Sequence, residues 1–220
     1  MIQGAIFDVD GTLLDTMKLW ETACSDYLRT LGIEPDADHD KKMFEMTVDE
    51  GVDYTIAHYG LTQDRQMLMD GISEYAYQYY ANKSEARPGM RELVRALQDA
   101  DIPMAAATSS ERVQVEAGLA RNDMLSPLRA IFTCFEVGAG KHFPDVYEAA
   151  WKAIGCPDRA NVWVFEDALY AVRTAKAAGF RVCGLYDPTS AENEAEIRAL
   201  ADCYCTDAAD IARFMKEYIE

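Results

Sequence analysis

Apolar residues along this chain fall into two rhythms. At the start, "IQGAIFDVD" (residues 2–10) is a short apolar run, and from about residue 88 onward such runs alternate with stretches of helical period. "IPMAAATSS", "AIFTCFEV", "NVWVFED" and "RVCGLYD" read as buried strands. Between them "GMRELVRALQDA", "SERVQVEAGLAR", "FPDVYEAAWKAIG" and "ALYAVRTAKAAGF" carry helical spacing, and several end at Gly, as helix C-termini prefer. Strand–helix alternation of this kind predicts an α/β fold: a Rossmann-like parallel sheet with helices on both faces.

Residues 17 to about 84 differ. "MKLWETACSDYLRTLG", "TVDEGVDYTIAHYG" and "DRQMLMDGISEYAYQYYANK" are amphipathic, with no strand pattern between them. An all-helical block after the first strand predicts an inserted domain, with limits near Asp15–Thr16 and Ser84–Pro88. The chain then divides into an α/β core, 1–16 with 85–220, and a helical insert, 17–84. The aromatic-rich "EYAYQYY" within the insert reads as packing.

Composition narrows the field. The chain has 220 residues, half of them hydrophobic and 27% charged, which suits an ordinary globular protein. A net charge of −17 repels phosphate backbones and anionic membranes, so neither nucleic acid nor membrane is an expected partner. No window approaches a membrane span, and the opening "MIQGAIFDVDG" lacks the basic start of a signal peptide. The expected compartment is the cytoplasm. Cys24, Cys134, Cys156, Cys183, Cys203 and Cys205 fit it as reduced thiols. "CYC" at 203–205 lacks the CxxC spacing of a zinc site, so all six read as ordinary core or surface thiols.

Candidate chemistry gathers at the ends of the predicted strands. In "AIFDVDGTLLDT" Asp8 and Asp10 stand two apart, so on a strand they face one way while Val9 turns aside. A hairpin at "DG" fails because the following residues turn helical. A calcium loop fails because Gly arrives at position 4 rather than 6 and Leu19 stands where a Glu is required. In an open parallel sheet, ligands bind beyond the carboxyl ends of the strands, where these acids fall. "AAATSS" ends a strand in hydroxyls, beginning with Thr108, before a helix start that favours anions. "GAGKHF" puts Lys141 after a Gly-rich turn, and "VWVFEDA" ends a strand in Glu166 and Asp167. Taken alone, the Thr reads as a helix cap, the Lys as a solvated loop residue, and the acid pair as a complement to the helix dipole. Together at the ends of separate strands they supply what phosphoryl transfer needs. The four acids would repel strongly unless a hard divalent cation intervened, and beside a phosphate Mg²⁺ is the natural choice.

These motifs resemble those of the haloacid dehalogenase-like superfamily, specifically its Mg²⁺-dependent phosphatase and phosphomutase members. "DVDGTLLDT", "ATSS", "GKHFPDVY" and "FEDALYAVRTAKAAG" stand in that superfamily's order, and the helical block resembles its small cap. The resemblance implies that Asp8 attacks phosphorus to form an aspartyl phosphate. It implies that Asp10 protonates the leaving oxygen and then deprotonates water. Thr108 and Lys141 would hold the phosphoryl oxygens, with Ser109 and the backbone at Val9 and Asp10 contributing. Mg²⁺ would sit on Asp8, the Asp10 carbonyl and Asp167, with Glu166 direct or through water.

The sequence departs from that pattern in places. Ala168 and Ala171 stand where the fourth motif commonly has Ser and Gly, and His142 and Phe143 replace Pro-Ala in the third. His142 reads as a solvated loop residue, with contact to substrate as the alternative. Asp10 separates the chain from the superfamily's dehalogenases and phosphonate-cleaving members. From Met43 to Asp64 there is no Lys or Arg, only His58, with Lys41, Lys42 and Arg65 flanking. A second, distal phosphate would be poorly anchored there. A phosphatase for a small phosphorylated metabolite, such as a sugar or polyol phosphate, is therefore expected over a β-phosphoglucomutase-like phosphomutase. A phospho-ligand-binding protein without turnover would be signalled by loss of Asp8, Asp10 or Lys141, and all three are present.

Overall fold

The computed structural model describes residues 2–44, 46, 48–155 and 158–219. Cys156, read above as an ordinary thiol, lies outside them. The described chain divides into two compact units, 1–16 with 84–220 and 17–83.

The first unit is built on one six-stranded sheet. Its strands are β1 (Gly4–Phe7), β2 (Met104–Thr108), β3 (Ala130–Thr133), β4 (Val162–Glu166), β5 (Arg181–Leu185) and β6 (Cys203–Cys205), in the order β3-β2-β1-β4-β5-β6. Every pairing is parallel. β1, β2 and β4 are buried along their whole length, which is why they read as continuous apolar runs rather than alternating ones. The unit also holds the helices α5 (Met90–Asp99), α6 (Arg112–Arg121), α7 (Cys134–Val137), α8 (Asp145–Ile154), α9 (Leu169–Ala177), α10 (Glu194–Leu200) and α11 (Ala208–Tyr218). Ile6, Ala105 and Val164 pack with Val146, Tyr147 and Ala150 of α8. Phe7 and Phe165 stack at 4.6 Å between ring centroids, and Phe165 meets Phe214 of α11. Fully burying aromatic side chains of this size contributes about 2–3 kcal/mol each.

"AIFTCFEV" does not continue as a strand. β3 stops at Thr133, whose side chain accepts from the Glu136 N–H while Glu136 reaches back to the Thr133 N–H. That reciprocal capping box starts α7 at once. The loop leaving β1 turns on Gly11 at φ +80°, a left-handed conformation that side chains resist. It closes through Gly11 N–H to the Leu14 carbonyl and Leu14 N–H to the Val9 carbonyl, at 2.9 and 2.8 Å.

The two passages toward the helical unit run antiparallel within the α/β unit. Leu14 bridges Ala86, Asp15 N–H donates to the Glu85 carbonyl, and Arg87 N–H donates to the Leu13 carbonyl. Ser84, grouped by sequence with the insert, falls with the α/β unit, where Asn122 and Arg121 donate to its carbonyl. Arg87 pairs at 2.5 Å with the buried Asp187 and also donates to the Tyr186 carbonyl.

The helical unit comprises α1 (Met17–Thr30), α2 (His39–Phe44), α3 (Val48–Tyr59) and α4 (Arg65–Asn82). α1 and α4 meet where Trp20 Nε1 donates to the Tyr80 hydroxyl at 3.0 Å. In the "EYAYQYY" stripe, Ala76 and Tyr80 are the fully buried members. The Tyr27 ring occupies the space a β-carbon at Gly71 would need, so the two helices approach over a glycine. Among the described residues, no helix is long and apolar enough to cross a membrane.

Candidate active site

Register brings the first acids together. Phe7 lies opposite Phe165, so Asp8 and Glu166 emerge side by side at the carboxyl ends of β1 and β4. Asp8 N–H donates to the Phe165 carbonyl at 3.0 Å, which locks that alignment. Strand alternation points Asp8 the same way as Ile6, and Glu166 the same way as Val164, toward α8. The chain runs outward from β1 through β2 and β3 on one side and through β4, β5 and β6 on the other. The acids therefore occupy the switch point of the sheet, where open α/β folds leave a crevice.

Lys141 enters this crevice from the turn before α8 and is only 4% exposed. Its Nζ donates to Asp8 Oδ1 and, at 2.6 Å, to Glu166 Oε1. The Tyr147 hydroxyl of α8 donates to the same Glu166 oxygen at 2.8 Å. Asp167 follows Glu166, and the Thr12 hydroxyl donates to its Oδ1 at 3.3 Å. Carboxylate oxygens of Asp8, Glu166 and Asp167 all lie within 4.8 Å of one another.

Burial, followed by the Glu166 carboxylate, pushes the Asp8 pKa well above its ordinary value, against the opposing pull of the Lys141 ammonium. The same causes push Asp167 up to about 7. Lys141 is shifted upward: burial opposes its charge, but Asp8 and Glu166 outweigh that. Three buried carboxylates thus face a single ammonium. In addition, Glu166 Oε2 is buried with no hydrogen-bond partner. An orphaned carboxylate oxygen beside two more acids is a costly arrangement unless positive charge completes it. The donors are hard oxygens, which suits a small divalent cation rather than a soft one.

Asp10 stands apart from this cluster. Its two carboxylate oxygens accept from the Thr16 hydroxyl at 2.5 Å and the Ser110 hydroxyl at 2.6 Å. The chain after β1 thus presents two carboxylates in different surroundings, one gripped by an ammonium and one held by hydroxyls. Val9 between them turns its side chain into the core. Thr108 is buried at the end of β2, and its oxygen accepts from the Ser110 N–H at 3.1 Å. Ser109 is exposed, with its hydroxyl 3.6 Å from Cys134 Sγ. His142 stacks on Tyr170 at 4.5 Å between ring centroids.

Thr12, Thr16, Ser110 and Tyr147 were not singled out from the sequence. A Thr or Ser beside a motif acid has no spacing signal of its own. Tyr147 sits on the apolar face of a helix, where an aromatic residue reads as packing.

A parallel sheet carrying a buried acid–lysine cluster at its switch point is the framework of an α/β enzyme working at its strand ends. A family model described as haloacid dehalogenase-like hydrolase matches residues 5–185, and the chain belongs to that family. It is 29% identical over 194 residues to the probable pseudouridine-5'-phosphatase of Drosophila melanogaster, covering 83% of this chain and 81% of the relative. It is 30% identical over 193 residues to protein CbbY of Cereibacter sphaeroides, covering 82% and 83%. The crystal structure of CbbY from Rhodobacter sphaeroides in complex with phosphate superposes with a TM-score of 0.77 at 25% identity, covering 95% of this chain and 96% of that one. The chain is accordingly a hydrolase acting on phosphate monoesters.

Proposed function

We propose that this hydrolase is a Mg²⁺-dependent phosphatase that releases phosphate from a small phosphorylated metabolite, a sugar or polyol phosphate, through an aspartyl-phosphate intermediate. The observation that carries the reading is the buried set of Asp8, Lys141, Glu166 and Asp167, with the unpartnered Glu166 Oε2 inside it. Asp8, the Asp10 carbonyl and Asp167 would hold the cation, with Glu166 Oε2 reaching it directly or through water. When bound, the cation supplies positive charge that screens the approach of one anion to another and fixes the phosphoryl group.

Asp8 attacks phosphorus, the bond from phosphorus to the leaving oxygen breaks, and an acyl phosphate forms on Asp8. Lys141 follows the charge as it moves, since its ammonium reaches both the attacking carboxylate and Glu166. The Thr108 oxygen accepts from Ser110 N–H, so its hydroxyl proton can be donated to a phosphoryl oxygen. Ser109 and the backbone N–H groups after Asp8, from Val9 on, share that task. Asp10 gives a proton to the leaving oxygen. In the second half it removes one from the water that attacks phosphorus and frees Asp8. Thr16 and Ser110 hold its two oxygens in place for both transfers.

The helical unit, inserted in the chain directly after Asp8 and Asp10, serves as the cap that opens to admit substrate and closes to exclude bulk water. The stretch from Met43 to Asp64 has no Lys or Arg to hold a second phosphate, which supports hydrolysis over transfer, and the flanking Lys42 and Arg65 are paired with Asp38 and Asp53.

A screen of phosphorylated metabolites with Mg²⁺ and with EDTA tests the reading. Sugar or polyol monophosphates should release phosphate only with the metal, and full activity in metal-free buffer would contradict the assignment of Glu166 and Asp167. With β-glucose 1-phosphate and a trace of glucose 1,6-bisphosphate, free phosphate should form. Efficient conversion to glucose 6-phosphate would install a mutase instead.

A further inference from the structure

At the far edge of the sheet, three cysteines meet that the chemistry above does not use. Cys203 and Cys205 stand two apart on β6 and so share a face. Parallel register sets Cys183 of β5 opposite Cys203. The three sulfur atoms lie within 4.8 Å of one another, and Cys183 Sγ is 3.6 Å from Cys205 Sγ. A disulfide needs about 2.05 Å, so these are separate thiols. Cys183 and Cys205 are buried, and Cys203 is half-buried on the edge strand. The opposite face of these strands is filled: a β-carbon at Gly184 would strike Ile197 and Tyr204. Hydrogen bonds with Cys183 and Cys205 lower the Cys203 pKa, with a smaller pull from the Arg181 charge. Burial raises Cys183, and against the lowering contact with Cys183, the Cys203 contact and burial push Cys205 up to about 12. The half-buried Cys203 is therefore the member biased toward thiolate. Spacing along the chain could not reveal this cluster, because its third member comes from the neighbouring strand.

We propose that Cys183, Cys203 and Cys205 form a three-sulfur site for a thiophilic d¹⁰ cation of the Zn²⁺ or Cu⁺ class. Around an ion bound at about 2.3 Å, three sulfurs sit about 3.8–4.0 Å apart. The Cys183–Cys205 separation of 3.6 Å falls just short of that range and Cys203 Sγ lies within 4.8 Å of both, so side-chain adjustments of no more than about 1 Å would close the site. Thiols bind as thiolates, and their protons pass to solvent past the half-buried Cys203. Softness keeps this site separate from the oxygen cluster: thiolates select Zn²⁺ or Cu⁺, carboxylates select Mg²⁺. With three protein donors, a fourth position stays open to an exogenous ligand on the Cys203 side.

Cadmium is a direct probe, because a thiolate-to-metal charge-transfer band cannot arise from the carboxylates. The full chain, reduced and stripped of metal, is titrated with Cd²⁺ in the presence of excess Mg²⁺. We expect one equivalent bound, the charge-transfer band, displacement by Zn²⁺, and protection of Cys183, Cys203 and Cys205 from alkylation as mapped by mass spectrometry. Cys203→Ser, a half-buried change on an edge strand, should weaken binding at least about tenfold and reduce the band. Cys24→Ala, in the helical unit, should change neither. A wild-type chain with no band, a band untouched by Cys203→Ser, or metal that leaves the three thiols as reactive as before would overturn the site. The alkylation map needs no variant and decides the matter if Cys203→Ser fails to fold.

Discussion

In the α/β unit, one buried ammonium, Lys141, joins acids at the ends of two strands, and a half-buried Arg87 pairs with the buried Asp187, 100 positions away. In the helical unit, Lys42–Asp38, Arg29–Asp26 and Arg65–Asp53 are exposed or partly exposed pairs formed largely within or between neighbouring helices. The difference is one of solvent. Buried charges are fixed in position by backbone register and cannot be screened, so their arrangement has chemical consequences. Exposed pairs are screened and contribute little, so they shape the surface of the helical unit more than its energetics.

The largest contrast should appear at Asp8, the proposed nucleophile. Asp8→Asn should cut phosphate release by at least about 10³-fold while leaving the fold intact, because an amide cannot form the acyl phosphate. Phosphate assays paired with thermal unfolding separate the two effects. Wild-type turnover in this variant would remove the distinction between the buried cluster and the surface pairs.

Arg87→Ala should cost about 2 kcal/mol of stability, since it leaves the buried Asp187 with only the Thr189 N–H and hydroxyl as partners. Chemical denaturation measures it, and a loss below about 1 kcal/mol would place this pair with the surface ones.

A smaller effect is expected one contact from the chemistry. Ser110→Ala removes one of two hydroxyls holding Asp10 and should lower kcat about tenfold with little change in KM. A change confined to KM would argue that Ser110 binds substrate rather than positions the acid. The smallest effect belongs to the helical unit. Arg65→Ala should change stability by less than about 1 kcal/mol and leave turnover within about twofold.

The sheet was legible because its strands are continuous apolar runs divided by helical period. β1, β2, β4 and β5 fall inside the stretches read for them. The boundary at β3 was missed because a capping box, in which the Thr133 and Glu136 side chains each accept from the other's backbone N–H, overrode the apolar run. β6 is three residues long and too short to announce a period, whereas α11 carries Ile211, Phe214, Met215 and Tyr218 at helical spacing and was legible though outside the stretches named above. At the site, the motif acids, Thr108 and Lys141 stood out by type and by their position at strand ends. Their supporting hydroxyls did not. Whether Thr16 and Ser110 reach Asp10 depends on how the loops after β1 and β2 fold back, which only tertiary structure decides. The same holds for the thiol cluster, assembled across two strands.

In the proposed mechanism Asp8 carries the phosphoryl group between two half-reactions. A single turnover of a phosphorylated substrate with Mg²⁺, quenched in acid within milliseconds and digested for mass spectrometry, tests it directly. A transient phosphopeptide bearing Asp8 should form before free phosphate and be absent from Asp8→Asn. Phosphate released at full rate with no phosphorylated Asp8 at any quench time would contradict it.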